Sequence, residues 1–222
     1  MEDMNTSEKY HRVIDEVSRF PGARLVVVAK YQPISKIQQT IDAGANIIAF
    51  HRLQEAEEKL PLLRGTFETH YIGHLQTNKV KKIIALFSVL ESVDSVALAE
   101  KIGEEAQRME KNVPLLLQVN VANDPKKYGF SETSLFSALP DIHRISGITV
   151  QGLMTIGKQD ADDQETRETF QKLRKIFETI RSQNIFGEAF REISMGMSDD
   201  YHIALQEGAT LVRVGSLLFS PS

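Results

Sequence analysis

Short apolar runs alternate with amphipathic segments along almost the whole chain, and this alternation constrains the fold more than any other feature. The first run, 25–30, is continuously apolar up to Lys30, a pattern typical of a strand buried on both faces of a parallel sheet. Further strands are predicted at 46–50, 70–73, 88–93, 115–121, 148–155, 193–195 and 211–214. Helices are predicted at 7–19, 35–43, 54–63, 77–87, 95–111, 131–139 and 160–182.

Strands that alternate with helices imply right-handed crossovers and a parallel sheet. The eight predicted units therefore indicate an α/β fold, a closed (β/α)8 TIM barrel that forms a single domain over 1–222, with an extra N-terminal helix. Only six residues follow Ser216, too few for a final outer helix, so the helix at 7–19 is expected to fill that place. An open doubly wound sheet is the alternative, but it would leave two exposed edges.

Two turns rich in small polar residues follow the seventh and eighth predicted strands. Ser194 and Ser198 offer hydroxyl groups, and Gly196 allows close approach of the backbone. A helix beginning at about Ser198 would direct its positive N-terminal end at the same spot. Gly215 and Ser216 form the second turn. Because barrels often bind phosphate after these strands, the two turns predict a phosphate site.

Closure of the barrel would bring the eighth strand beside the first, which ends in Lys30. Arg213 shares parity with Leu211 and Gly215, so all three are expected to face the barrel interior. An amine beside a phosphate site favours Schiff-base chemistry, either with a phosphorylated sugar or with pyridoxal phosphate. A solvated lysine and an arginine held in an ion pair remain the simpler interpretation of the pattern.

Net charge and composition exclude several classes of partner. The net charge of −4, with acids and bases interspersed, offers no basic surface for nucleic acid or membrane, and no apolar run reaches membrane-spanning length. The chain has no cysteine and no apolar leader at its start, so we expect a cytoplasmic protein, with a monomer as the default. His70 and His74 are four residues apart but lie on a predicted strand and its turn, so no metal site is expected there.

The chain resembles the pyridoxal phosphate homeostasis proteins, which are single-barrel relatives of the N-terminal domain of alanine racemase. The most specific shared runs are Ile-Gly-His-Leu-Gln-Thr-Asn-Lys at 72–79 and Ser-Met-Gly-Met-Ser-Asp-Asp at 194–200. Other matching segments are 27–30 with Pro33, 41–44, 118–121 with Gly129, 152–155 and 207–216. They occur in order over nearly the whole chain.

The resemblance implies a role for each site residue. Lys30 matches the lysine that forms the Schiff base with pyridoxal 5'-phosphate, and Arg213 matches the arginine that faces the pyridine nitrogen. The implied phosphate positions are Ser198, Gly215 and Ser216, with Ser194 and Met197 close by. Met154, at the end of the sixth strand, is expected to pack in the core and to touch the cofactor. A cation at the ring nitrogen disfavours its protonation, which makes the cofactor a weaker electron sink.

The implied function is to carry or buffer the cofactor, with apoenzymes that depend on pyridoxal phosphate as recipients. The alternative is an amino-acid racemase, which needs a second proton-transfer group. Alanine racemase takes that group from a separate domain, although Tyr31 or His51 could substitute for it here. A lyase that forms a Schiff base with a phosphorylated sugar is a third possibility, and it would be colourless.

The chain departs from the family pattern near the expected cofactor. Ala49-Phe50-His51 stands where the family has Gly-Glu-Asn, and Tyr31 replaces a small hydroxyl residue. His51 is predicted either to donate a hydrogen bond to a ring substituent of the cofactor or to swing away from it. These changes bear on cofactor affinity rather than on the fold.

Overall fold

The computed structural model describes residues 5–122, 124, 127–158 and 160–220. Within these residues, eight strands pair in parallel, each with its neighbours in sequence, and β8 closes the barrel by pairing with β1. The strands are β1 (Arg24–Val28), β2 (Ile47–Phe50), β3 (Glu68–Tyr71), β4 (Val89–Val93), β5 (Val113–Gln118), β6 (Ile148–Met154), β7 (Glu192–Ser194) and β8 (Leu211–Val214). The predicted closed barrel is confirmed, and the open sheet is excluded.

Helices surround the barrel in the described part of the chain. They are α1 (Thr6–Val17), α2 (Ile34–Asp42), α3 (Leu53–Lys59), α4 (Val80–Leu86), α5 (Val96–Arg108), α6 (Glu132–His143), α7 (Asp163–Ser182), α8 (Tyr201–Gln206) and α9 (Ser216–Phe219). Short 3-10 helices occupy Leu60–Leu62, Thr77–Lys79 and Gly187–Ala189. None of the helices described here is long and apolar enough to cross a membrane.

Alternation along each strand divides the core into two layers. Residues such as Val27, Val212 and Val214 point outward and pack under the helices. A second cluster fills the barrel interior and consists of Val26, Ile47, Ala49, Leu116, Met154 and Leu211. In β8, Leu211 therefore faces inward while Val212 and Val214 face outward, as the parity of the sequence predicts.

The seam between β1 and β8 is covered by α1. Val26 pairs with Arg213 and Val27 with Val214 across the seam. The buried face of α1, with Tyr10 and Val13, packs toward α2 and α9, so the N-terminal helix fills the place in the outer ring, as expected. Only a short helix follows β8: α9 has four residues and cannot cover the seam alone, so the chain lacks a full outer helix there, as the sequence predicts.

Candidate functional site

Two backbone donors of the turn after β8 meet at the hydroxyl of Ser198, which belongs to the turn after β7. Its Oγ accepts hydrogen bonds from the backbone N–H of Gly215 at 3.2 Å and of Leu217 at 3.3 Å. Ser216 lies between these donors and is exposed at the start of α9. Gly215 brings the end of β8 against β1, since a Cβ at this position would lie 3.0 Å from the carbonyl oxygen of Val28. The two predicted turns are thus joined at the strand ends.

The turn after β7 differs from the sequence-based prediction. The helix expected from about Ser198 begins at Tyr201, because Gly196 adopts a φ of +87° and the chain makes a turn before α8. The carboxylate of Asp200 accepts from the backbone N–H of Met197 at 2.5 Å and so closes this turn. Since α8 has only six residues, the converging N–H groups, rather than a long helix dipole, make this region suited to an anion.

The same turn carries a buried carboxyl and an exposed thioether. Burial raises the pKa of Asp200, although the hydrogen bond from Met197 opposes the shift. The side chain of Met197 is 40% exposed and borders the mouth of the barrel, by which we mean the end where the carboxyl ends of the strands meet. Asp200 therefore shapes the turn with a carboxyl group whose ionisation costs free energy in the folded state.

Arg213 lies inside the barrel, as its parity predicts, and is 4% exposed. Its Nη1 donates to the hydroxyl of Ser194 at 2.5 Å, and its Nη2 donates to the carbonyl of Thr155 at 2.8 Å. The carboxylate of Glu91 lies 4.0 Å from Nη1. The guanidinium is thereby fixed from two sides at the floor of the mouth.

Two other predicted site residues are fully buried beside this arginine. The hydroxyl of Ser194 contacts Glu91 and Arg213, so Ser194 lies beneath the guanidinium rather than on the surface of the mouth. Met154 belongs to the interior cluster and has no exposed surface. Both residues support the floor of the site from below.

Lys30 lies in the turn that follows β1, because this strand ends two residues earlier than predicted. The lysine is exposed, and its Nζ lies 5.1 Å from the ring centroid of Tyr31. Tyr31 has a φ of +59°, a conformation that costs energy for a side chain of this size. The carboxylate of Glu55 holds that conformation by accepting from the backbone N–H of Tyr31 at 2.8 Å. A strained turn thus presents the amine at the mouth.

His51 occupies the wall next to Lys30. Its ring meets that of Tyr31 edge to face at 5.3 Å. Within the described residues, neither ring nitrogen has a hydrogen-bond partner, and Glu55 lies 3.7 Å from Nδ1. Burial and the positive charge of Lys30 lower the pKa of His51. The imidazole is therefore neutral at pH 7, with one donor and one acceptor free for a ligand.

Several residues of the site were not identified from the sequence. Leu217 contributes through its backbone N–H and Thr155 through its carbonyl, which side-chain chemistry does not reveal. Glu91 and His70 form a buried pair with 2.6 Å between Oε1 and Nδ1. Glu91 could have been found by the parity argument applied to Arg213, because it is a charged residue inside an apolar strand.

The histidines considered for metal binding face different surroundings. His70 contacts Glu91 and Glu68 inside the barrel, whereas His74 stacks on Tyr128 with 3.8 Å between ring centroids. Among the described residues, no group of three or more His, Cys, Asp or Glu side chains could hold a metal ion.

The residues at the mouth fit a phosphorylated aldehyde with a heteroaromatic ring. The N–H groups of Gly215 and Leu217 converge on one oxygen atom, as an anion of this kind requires. Lys30 supplies a primary amine, and His51 has two buried nitrogen atoms without partners in the described structure. Arg213 supplies a fixed cation on the floor. Pyridoxal 5'-phosphate carries a chemical group that matches each of these four.

Comparisons with known proteins agree with this geometry. Residues 8–222 match the family model described as alanine racemase, N-terminal domain. A pyridoxal phosphate homeostasis protein from Synechocystis sp. is 34% identical over 201 residues, which cover 90% of this chain and 91% of the relative. A protein of the same name from Aquifex aeolicus is 31% identical over 225 residues, 97% of this chain and 98% of the relative.

Solved structures show the same likeness to proteins that are associated with pyridoxal phosphate. PipY of Synechococcus elongatus, without pyridoxal phosphate, superposes with a TM-score of 0.89 at 32% identity and covers 95% of this chain and 99% of its own. The form of PipY with pyridoxal phosphate bound gives 0.87 at 30% identity, with coverage of 96% and 100%. An alanine racemase from Clostridium difficile 630 shares the fold alone, at 13% identity and a TM-score of 0.74. The chain therefore belongs to the pyridoxal phosphate homeostasis protein family, within the larger family of alanine racemase N-terminal domains.

Proposed function

We propose that this protein binds pyridoxal 5'-phosphate as a Schiff base on Lys30 and takes part in homeostasis of the cofactor by carrying or buffering it. One observation carries the proposal. The amine of Lys30 and the converging donors around Ser198 lie at the ends of neighbouring strands, β1 and β8, with Gly215 packed against Val28. A phosphate held by one strand end would leave the aldehyde within reach of the other.

The remaining predicted residues would orient the ring. Arg213 is held by Ser194 and Thr155, so its cation occupies a fixed position below the mouth. A cation there favours the unprotonated pyridine nitrogen, so the bound cofactor would withdraw electrons weakly. His51, neutral and without a partner among the described residues, would offer a hydrogen bond to a ring substituent. This arrangement suits storage better than turnover.

Recipient apoenzymes, a monomeric state and a cytoplasmic location stay predictions from the sequence. The racemase alternative is not favoured. The curated relatives are named for homeostasis of the cofactor, and the likeness to an alanine racemase is one of fold.

Visible spectroscopy of purified protein after incubation with pyridoxal phosphate tests the proposal. We expect a yellow protein in which borohydride reduction fixes the cofactor to the peptide that contains Lys30. Lys30→Ala should remove the fixed label. Lys158→Ala is the matched control, because Lys158 follows β6 on the same face of the barrel and pairs with Glu165 at 3.4 Å.

Three results would contradict the proposal in different ways. A colourless protein that takes up no cofactor would exclude pyridoxal phosphate binding and favour the sugar lyase. Label that persists in Lys30→Ala would exclude the assigned lysine. Interconversion of D- and L-amino acids that disappears in Lys30→Ala would establish a racemase instead of a carrier.

A further inference from the structure

A chain of polar side chains crosses the interior of the barrel. We call it the polar core chain, and it consists of Glu68, His70, Glu91, Ser194 and Arg213. His70 Nε2 lies 3.4 Å from Glu68, and its Nδ1 lies 2.6 Å from Glu91. Ser194 donates to the second oxygen of Glu91 and accepts from Arg213. The chain thus connects the amino-terminal end of the barrel to the floor of the mouth.

The burial of the middle members of this chain, His70, Glu91 and Ser194, is not explained by stability. His70 is 1% exposed, and Glu91 and Ser194 have no exposed surface. Taking charges out of water is costly, and well-packed apolar residues of similar volume are often as stabilising as a buried ion pair. Other side chains of the barrel interior, such as Val26 and Leu116, are apolar. A role at the site accounts better for the pair of His70 and Glu91.

The charges along the polar core chain alternate in sign. Burial would lower the pKa of His70, but its hydrogen bonds to Glu68 and Glu91 outweigh burial and raise it. Burial would raise the pKa of Glu91, but His70, the charge of Arg213 and the hydrogen bond from Ser194 outweigh burial and lower it. Both ring nitrogens of His70 face carboxylates, an arrangement that favours the doubly protonated, cationic ring, and the anionic Glu91 in turn faces the cationic Arg213.

This arrangement fixes the direction of the hydrogen bond that holds Arg213. Ionised Glu91 can only accept, so the hydroxyl of Ser194 must donate to it. The lone pairs of that hydroxyl then face Arg213, whose Nη1 donates to them. Without the negative charge, Ser194 could turn and donate elsewhere, and the guanidinium would lose one of its two side supports. Thr155 would remain as the other.

We propose that Glu91, with His70 behind it and Ser194 in front of it, is a positioning residue that holds Arg213 against the pyridine ring of the cofactor. The inference rests on the proposed function and extends it to residues below the mouth. Through Arg213, Glu91 sets the affinity for pyridoxal phosphate and the protonation of its ring nitrogen.

Other charged groups border the chain and enter its pH dependence. At the amino-terminal end, Glu68 lies 3.9 Å from Arg24, which also binds Glu192 at 2.8 Å. At the mouth, the charge of Asp200 acts on Arg213. Glu192 is a suitable comparison for Glu91. Both are buried carboxylates in the barrel, but Glu192 binds Arg24 and Thr210 rather than Ser194.

The test compares Glu91→Gln with Glu192→Gln. Absorbance titration with pyridoxal 5'-phosphate should show affinity about tenfold weaker for Glu91→Gln, the lower end of the range for loss of one charge-assisted hydrogen bond, because Glu91 acts on the cofactor only through Arg213. The pH midpoint of the visible absorbance change of the bound cofactor should also move, by about one unit. Glu192→Gln should change the affinity less than about twofold, because Glu192 contacts Arg24 and Thr210 rather than Ser194 or Arg213, although it is expected to lower stability.

Nitrogen NMR of the histidine side chains provides a second readout without cofactor. The pKa of His70 should lie above its ordinary 6.5 in the parent protein and fall in Glu91→Gln. Ser194→Ala should weaken cofactor binding while leaving His70 protonated, because it removes only the link to Arg213. That variant keeps the proposal testable if Glu91→Gln does not fold.

The outcomes separate this inference from the proposed function. Unchanged affinity and pH midpoint in Glu91→Gln and Ser194→Ala, with normal binding by the parent protein, would overturn the positioning role alone. Equal losses in Glu91→Gln and Glu192→Gln would overturn it as well, since they would reflect general destabilisation. A parent protein that binds no pyridoxal phosphate would remove the proposed function and the positioning role together.

Discussion

Replacing Ser198 with alanine should weaken binding of the phosphate group and leave binding of the rest of the cofactor nearly unchanged. In the structure its hydroxyl contacts the N–H groups of Gly215 and Leu217, so it lies beside the position proposed for the phosphate and could donate to it. The variant loses one hydrogen bond to a charged group, which contributes about 1.5–3 kcal/mol. The dissociation constant for pyridoxal 5'-phosphate should therefore rise about 10- to 150-fold.

The assay compares pyridoxal 5'-phosphate with pyridoxal, which has the aldehyde and the ring but no phosphate. Ser198→Ala should bind pyridoxal with nearly unchanged affinity, so the preference for the phosphorylated compound should shrink. Ser95→Ala is the matched control, because the Ser95 hydroxyl accepts from the Leu98 N–H at the start of α5. It should cost about 1 kcal/mol of stability through loss of the helix cap and leave both affinities intact.

Two results would refute this reasoning. An equal loss of affinity for both compounds would mean that Ser198 shapes the mouth without contacting phosphate. An unchanged preference for the phosphorylated compound would mean that the phosphate binds elsewhere.

Two further predictions concern pH. Burial and the hydrogen bond to Glu16 raise the pKa of Tyr201 from 10.0 to about 12, so its contribution to stability is complete below pH 10 and is lost as the pH rises through about 12. Urea unfolding measured from pH 9 to 12 should show that the free energy of unfolding falls more steeply with pH for the parent protein than for Tyr201→Phe. Equal dependence on pH would contradict the role of Tyr201. Burial raises the pKa of Asp200, so its ionised form destabilises the fold above that pKa. Asp200→Asn keeps an acceptor for the N–H of Met197, and it should be more stable than the parent protein at pH 7 but not at pH 3. Greater stability at both pH values would mean that ionisation of Asp200 is not the reason.

The repeating parts of this fold were predictable because the periodicity of a strand fixes the direction of its side chains. Arg213 was placed inside the barrel by counting from Val212 and Val214, and the structure agrees. The closed barrel followed from the number of units, and the proximity of β1 and β8 followed from closure. These inferences need only the order of residues along each strand.

The turns were less predictable because their conformations depend on contacts between distant segments. Tyr31 adopts a positive φ only because Glu55, 24 residues away, accepts from its N–H. Ser198 meets Leu217 across 19 residues. The exposed position of Lys30 results from the same turn. Glu91 is hard to recognise for a different reason: a single acid in an apolar run fits the pattern of a strand, and the sequence does not show which distant residues neutralise its charge.

Closure of β1 on β8 has a consequence for the synthesis and folding of the chain. The two strands pair residues 24–27 with 211–214, and the covering helix α1 comes from the opposite end of the sequence to α9. Such non-local pairing forms slowly, after the local units. Lys30 and the N–H groups proposed to bind phosphate are therefore separated until the last strand joins the first, and an incomplete chain would not assemble both halves of the proposed site. A ligand that binds only the closed form would stabilise it by mass action, so the cofactor would select for completely folded molecules.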